Sequence, residues 1–265
     1  MPELAELRLT AEFVNEMAND KVFYGVRKNP VHKGAEVEVP FAAFTIDACS
    51  RGKQLLLTLK KLNSDEQVKL LMSMGMSGHF GWVETGVLSK HSHLRFKSDN
   101  GSLDFIDVRR FGKWKLADNW SADRGPDPTT EFQSFVRNIK DNLHKPEFNK
   151  PIHLVLMNQK YFNGVGNYIR SEVLYRIETL NPFINARDAI KEYGEKIFML
   201  CKAIPERAYI LGGGEIKDWK NPFKNDSDYN RNEFFLCYGK KSMSSFVDRN
   251  NRRFWFDPKW SNQVK

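Results

Sequence analysis

Residues able to do chemistry stand at the very start of the chain, Met1-Pro2-Glu3. A small Pro2 permits removal of Met1, and the α-amine this exposes is a secondary one. An α-amine has a pKa near 8, so roughly a tenth is unprotonated and nucleophilic at neutral pH. Such an amine can attack a sugar C1′ and form an iminium, by the covalent logic of a lysine Schiff base. Glu3 follows directly and could move protons at that centre. Four further stretches carry polar or insertable groups. Lys53, in Arg51-Gly52-Lys53-Gln54, sits where a turn enters a strand, either as solvated surface or as a cation for phosphate. Met76, in Met74-Gly75-Met76-Ser77-Gly78, lies on a Gly-rich turn, either exposed or packed inward. Asp107-Val108-Arg109-Arg110-Phe111-Gly112 puts Arg109 and Phe111 together. That pairing suits a strand end, or insertion into a duplex, where an apolar wedge fills the gap left by an extruded base. Gln159 through Arg170 contains Gly164-Val165-Gly166-Asn167. The glycines allow close backbone approach, and Asn167 opens a helix whose N–H groups and dipole favour a phosphate.

The elements that must hold these residues follow from the hydrophobic period. Leu4, Leu7, Ala11, Val14 and Ala18 recur at helical spacing. From about residue 21 the pattern shortens. Segments 54–59, 70–74, 93–96, 102–108 and 113–116 are short, apolar or alternating, and bounded by Gly, Ser or Asn, which is the rhythm of an antiparallel sandwich or barrel. Residues 119–130 are polar with Pro and Gly and read as a link. Segments 131–144, 151–160, 167–178 and 186–203 read as helices, with Pro151 suited to a first turn. The glycines 212–214 and a polar stretch to about 232 lead to two strand-like segments, 233–238 and 252–256. The expected fold is α+β: an N-terminal helix and antiparallel β-sandwich domain over 1–120, a linker over 121–130, and a helical domain over 131–265 that ends in a hairpin at about 233–260.

Composition narrows the class. The 265 residues hold 41 Lys and Arg against 33 Asp and Glu, a net of +8. Of that excess +5 falls in residues 236–265, among Phe246, Phe254, Trp255, Phe256 and Trp260. A basic, aromatic hairpin with Arg252 near its tip is suited to a nucleic-acid groove. No long apolar run predicts a membrane span. The acidic start argues against a targeting peptide, and three scattered cysteines suggest reduced thiols in an intracellular protein.

Taken in order, Pro2-Glu3 with Glu6, Arg51-Gly52-Lys53, Met76-Ser77-Gly78, Arg109-Arg110-Phe111-Gly112 and Asn163-Gly164-Val165-Gly166-Asn167-Tyr168 resemble the formamidopyrimidine-DNA glycosylase/endonuclease VIII family across essentially the whole chain. The close of the chain, Met243 to Phe256 with Arg249 and Arg252, is similar to the family's endonuclease VIII-like, zincless-finger subgroup. Most members end in four zinc-binding cysteines. Only Cys237 lies in that region here, so no metal is expected and apolar packing of Phe234, Phe235, Phe254, Trp255 and Phe256 must hold the hairpin. No cofactor is implied. The resemblance implies a helix–two-turn–helix domain and a bifunctional DNA glycosylase and β,δ-lyase of base excision repair. Its expected targets are oxidised pyrimidines, formamidopyrimidines and hydantoins. A non-catalytic damaged-DNA-binding protein on the same fold is the alternative.

By the same resemblance, Pro2 would be the nucleophile, Glu3 the proton shuttle, and Lys53 a phosphate contact that assists elimination. Met76, Arg109 and Phe111 would fill the void, and Asn167 and Arg252 would hold the backbone. The implied partner is damaged duplex DNA, with single-stranded or bubble DNA as further candidates. The protein is expected to act as a monomer, in the nucleus, or in the cytoplasm if it comes from a prokaryote or virus. Three positions depart from the pattern. Ala5 stands where a Pro is common, and Gly214 stands where a basic residue belongs to a lesion-recognition loop, which leaves base preference open. The chain stops at Lys265 without the long polar extension of animal members, so partner binding by such a tail is not expected.

Overall fold

The computed structural model describes residues 1–87, 89–214, 219, 221–223, 234–248 and 250–264. Arg249, Glu233 and most of the polar stretch running to about 232 lie outside them. The chain divides into two compact units, the first ending at Ser121 and the second opening at Ala122, with the described residues 219 and 221–223 belonging to the first.

The first unit begins with helix α1 (Leu4–Ala18). Strands β1 (Phe23–Lys28), β2 (Phe44–Arg51), β3 (Gln54–Lys61), β4 (Gln67–Ser73), β5 (His79–Glu84), β6 (Ser92–Ser98), β7 (Gly101–Ile106) and β8 (Lys113–Leu116) follow. They form one antiparallel sheet in the order β5-β7-β6-β1-β2-β3-β4-β8. Its weak point is the middle: β1 meets β2 through the single pair Phe23↔Phe44, whereas β2 and β3 pair over their whole length. The sheet therefore folds as two four-stranded halves. Phe105 on β7 meets Trp114 on β8 edge-on at 6.0 Å, although these strands are distant in the sheet order. This is the expected α+β sandwich.

Its core takes Leu55, Leu57 and Leu59 from β3 and Leu94 and Phe96 from β6, all buried, with Leu7, Ala11, Val14 and Ala18 from one stripe of α1. Burying each large apolar side chain contributes about 1.5–3 kcal/mol. Asn15 fixes the helix to the sheet. Its Nδ2 donates to the Ala48 carbonyl at 2.9 Å and its Oδ1 accepts the Ala48 N–H at 2.7 Å. Phe223 returns to this core, edge-on to Phe13 at 5.7 Å.

The second unit holds α2 (Phe132–Asn142), α3 (Ile152–Val155), α4 (Asn167–Tyr175) and α5 (Ala186–Ile210), then the hairpin β9 (Ser244–Val247) and β10 (Arg253–Phe256). The helix expected over 186–203 runs on to Ile210, and three further boundaries need correction. The 151–160 helix is only α3: past Leu156 the backbone tightens, the Met157 and Asn158 N–H groups donating to the Leu154 and Val155 carbonyls at 3.1 and 2.9 Å, and Asn158 Oδ1 then accepts the Lys160 N–H at 3.1 Å. The strand read over 102–108 ends at Ile106, where Asp107 turns the chain. The segment 233–238 does not supply the first hairpin strand among its described residues. The Leu236, Cys237 and Tyr238 N–H groups, which a strand would give to a neighbour, all donate to the buried carboxylate of Glu172, at 3.1, 2.9 and 2.8 Å. Its place opposite 253–256 is taken by Ser244–Val247.

Candidate active site and nucleic-acid interface

Pro2 and Glu3 stand at the buried start of α1. Glu3 is the N-cap, and Glu6, fully buried, turns back so that its Oε2 accepts the Glu3 N–H at 2.7 Å. The cap fixes the chain just before the helix, where the dipole favours a carboxylate. Met1 is attached in this structure, so the Pro2 nitrogen is part of a peptide bond. Lys53 lies in the two-residue turn between β2 and β3, with Gly52 supplying φ 57°. Because Asn15 fastens α1 to β2, the elements carrying Pro2, Glu3 and Lys53 belong to one packed block.

Met76, Arg109 and Phe111 fall on two turns, β4–β5 and β7–β8. Met74 takes the core place and is buried, while Met76 is only half-buried. Phe111 is 52% exposed, and the Arg109 guanidinium lies 5.3 Å from its ring centre.

In the second unit the structure brings Asn167 and Arg252 together through a residue the sequence reading overlooked, Arg170. It is fully buried. Its guanidinium donates to Asn167 Oδ1 at 3.1 and 2.8 Å, to the His153 carbonyl at 3.1 Å and to Asp248 Oδ2 at 3.2 Å, and stacks over Phe254 at 4.8 Å. Asp248 Oδ1 in turn accepts the Asn250 and Arg252 N–H groups at 2.9 and 3.0 Å, which closes the hairpin tip. Burial pushes the Asp248 carboxyl up, but the Arg252 N–H, the Arg170 charge and the Asn250 N–H outweigh it and hold it below the usual aspartate value.

The Asn167 side chain is committed to this network, its Nδ2 donating to the Arg253 carbonyl at 2.7 Å. The only sequence signal for Arg170 is a charge between Ile169 and Val173 on a buried helix. Hairpin packing also differs in detail from expectation. Phe254 and Phe256 join Phe183, Phe246 and His153, whereas Phe234 and Phe235 pack on Tyr168. Burial lowers the His153 pKa to about 4, so the ring that stacks on Phe254 is neutral. Gly214 is equally confined: a Cβ there would lie 3.1 Å from Tyr168 and 3.2 Å from Phe235.

Residues 1–114 match the formamidopyrimidine-DNA glycosylase N-terminal domain. Endonuclease 8-like 1 of Homo sapiens is 35% identical over 97% of this chain and 72% of its own. The formamidopyrimidine-DNA glycosylase of a Wolbachia from Culex pipiens is 30% identical over 97% of this chain and 98% of its own. Among solved structures, the wild-type Lactococcus lactis Fpg (MutM) protein, in complex with DNA containing an oxidised pyrimidine, superposes with a TM-score of 0.77, covering 98% of this chain and 99% of that one at 21% identity, a likeness of fold. On these matches the chain belongs to the formamidopyrimidine-DNA glycosylase/endonuclease VIII family of DNA glycosylase and abasic-site lyase enzymes.

Proposed function

We propose that this chain removes oxidised bases from damaged duplex DNA and then cleaves the strand, with Pro2 as nucleophile. The observation that carries the reading is the buried, capped Pro2-Glu3 pair at the start of α1 in a chain of this family. Once Met1 is removed, the Pro2 lone pair forms the N–C1′ bond while the bond from C1′ to the base breaks. The base leaves with that electron pair and a proton. Glu3 protonates the ring oxygen as the sugar opens, and the amine loses its hydrogen to give the iminium. Loss of a C2′ proton expels the 3′ phosphate, and a second proton loss expels the 5′ phosphate. Lys53, on the same block, stabilises the phosphate that departs.

The remaining residues bind. Met76, Arg109 and Phe111 replace the extruded nucleotide in the stack. Arg252 contacts the backbone beside it. The Asn167 side chain is oriented by Arg170 and Arg253, and one of its two amide N–H donors joins the main chain at the start of α4 in the phosphate contact. The test is borohydride reduction in the presence of duplex carrying one abasic site. A covalent adduct is expected, and Pro2→Gly is expected to remove it. A wild-type protein that binds this duplex yet traps no adduct is a damage-binding protein instead.

A further inference from the structure

Asp107 is fully buried, and every oxygen it has is in use. Oδ1 accepts the Ser77 hydroxyl at 2.5 Å and the Arg109 N–H at 3.2 Å, while Oδ2 accepts the Gly112 N–H at 2.7 Å. The Arg109 N–H is shared with Ser77 Oγ at 3.1 Å. The carbonyl of Asp107 accepts the Arg110 N–H at 3.2 Å and pairs with His93 Nε2 at 2.9 Å. One carboxylate therefore joins the turn that carries Met76 to the turn that carries Arg109 and Phe111.

The two turns also interlock at backbone distance. A Cβ on Gly75 would fall 2.5 Å from the Phe111 carbonyl carbon and 2.6 Å from the Gly112 nitrogen, and Gly75 has φ 59°. A Cβ on Gly112 would lie 2.4 Å from the Phe105 ring. Locked roots carry exposed tips: Val108 is 56% and Phe111 52% exposed. A flexible loop bearing the same side chains would lose conformational freedom on entering a duplex and so insert less well. A buried carboxylate is costly unless fully hydrogen-bonded, and this one is satisfied only with both turns in place.

We propose that Asp107 is a positioning residue that couples these two turns into a single wedge, so that extrusion of a base from duplex DNA depends on it while cleavage of a ready-made abasic site does not. The proposal rests on the reading above, in which Met76, Arg109 and Phe111 enter the duplex. Asp107→Asn keeps the shape but turns an N–H donor toward the Gly112 N–H or the Ser77 hydroxyl. Ser77→Ala removes only the link between turns.

Single-turnover rates would be measured on duplex with one oxidised pyrimidine, on the same duplex with a preformed abasic site, and on the single strand with the oxidised base. For Asp107→Asn, base release from duplex is expected to fall about tenfold to a hundredfold. Cleavage of the abasic duplex and base release from the single strand should stay within about threefold of wild type. Ser77→Ala should move in the same direction by about threefold to tenfold, and it decides the matter if Asp107→Asn does not fold. An equal fall on all three substrates, or no fall on the lesion duplex, overturns the proposal. Failure of the wild type to trap borohydride adducts would overturn the catalytic reading instead, independently of the ratio.

Discussion

The wedge turns of the first unit and the hairpin of the second are each organised by one buried charge, and the charges are opposite. Asp107 offers only acceptors, and it gathers what a tight turn has in surplus: the N–H groups of Arg109 and Gly112, with the Ser77 hydroxyl. Arg170 offers only donors in a planar fork, and it gathers a carbonyl from His153, an amide oxygen from Asn167 and a carboxylate from Asp248, 78 residues away. The anion therefore organises mostly its own neighbourhood, while the cation holds parts of the chain that only the folded state brings together. Removing the first should loosen a surface feature. Removing the second should loosen a unit.

The comparison breaks first at Arg170. Arg170→Met leaves Asp248 buried without its counter-charge, and the expected loss is about 3–5 kcal/mol of stability. Denaturant unfolding should show it, and adding Asp248→Asn should restore part of it. Additive losses in the double variant would mean that the two charges are not coupled.

A somewhat smaller effect is expected from acid. His153 is held neutral, with its pKa lowered to about 4. The unfolded chain takes up this proton from about pH 6.5 downward while the folded one resists until about pH 4. Stability conferred by the neutral ring is thus fully present above about pH 6.5 and declines by up to about 3 kcal/mol on acidification to pH 4. Asp248 adds a loss of the same sign at still lower pH, since its lowered carboxyl stabilises only while ionised. His153→Phe should flatten the upper part of this melting profile. Burial also lowers His32 and His93 beneath Asp107, so the first unit slopes the same way, and an unchanged slope in His153→Phe would assign the acid sensitivity to that pair.

The smallest effect is at Arg252. Its main chain is fixed by Asp248, whereas its proposed phosphate contact is made by the side chain. Arg252→Ala should leave melting within about 0.5 kcal/mol of wild type while flattening the salt dependence of DNA binding by about one counterion. An unchanged slope would remove Arg252 from the interface.

Much of this arrangement is legible in the residues. The alternation in β3, the helical stripe of α1 and the glycine pair before Asn167 each specify local geometry, and the structure contains those elements. The hairpin shows where such reading stops. Phe234 and Phe235 look like strand residues because they are apolar and aromatic, whereas Ser244 to Val247 hold only two apolar residues. What decides between them is Glu172, whose carboxylate takes three successive N–H groups from 236–238, and no local pattern encodes that distant demand. The role of Arg170 is hidden in the sequence for the same reason. Asp107 is visible in its motif beside Arg109 and Phe111, but the carboxylate that seats them is recognisable only once Ser77 stands beside it.

Asn167 carries a last consequence. One end of its amide is held by Arg170 and the other by the carbonyl of Arg253, the first residue of β10. The start of α4 and the hairpin therefore cannot respond to a ligand separately. Any ligand that tightens one favours the arrangement in which the other is already seated, and thermodynamic reciprocity requires the converse with the same coupling free energy. The second unit would then engage a phosphate backbone as one cooperative grip, letting go of both points together when either is lost.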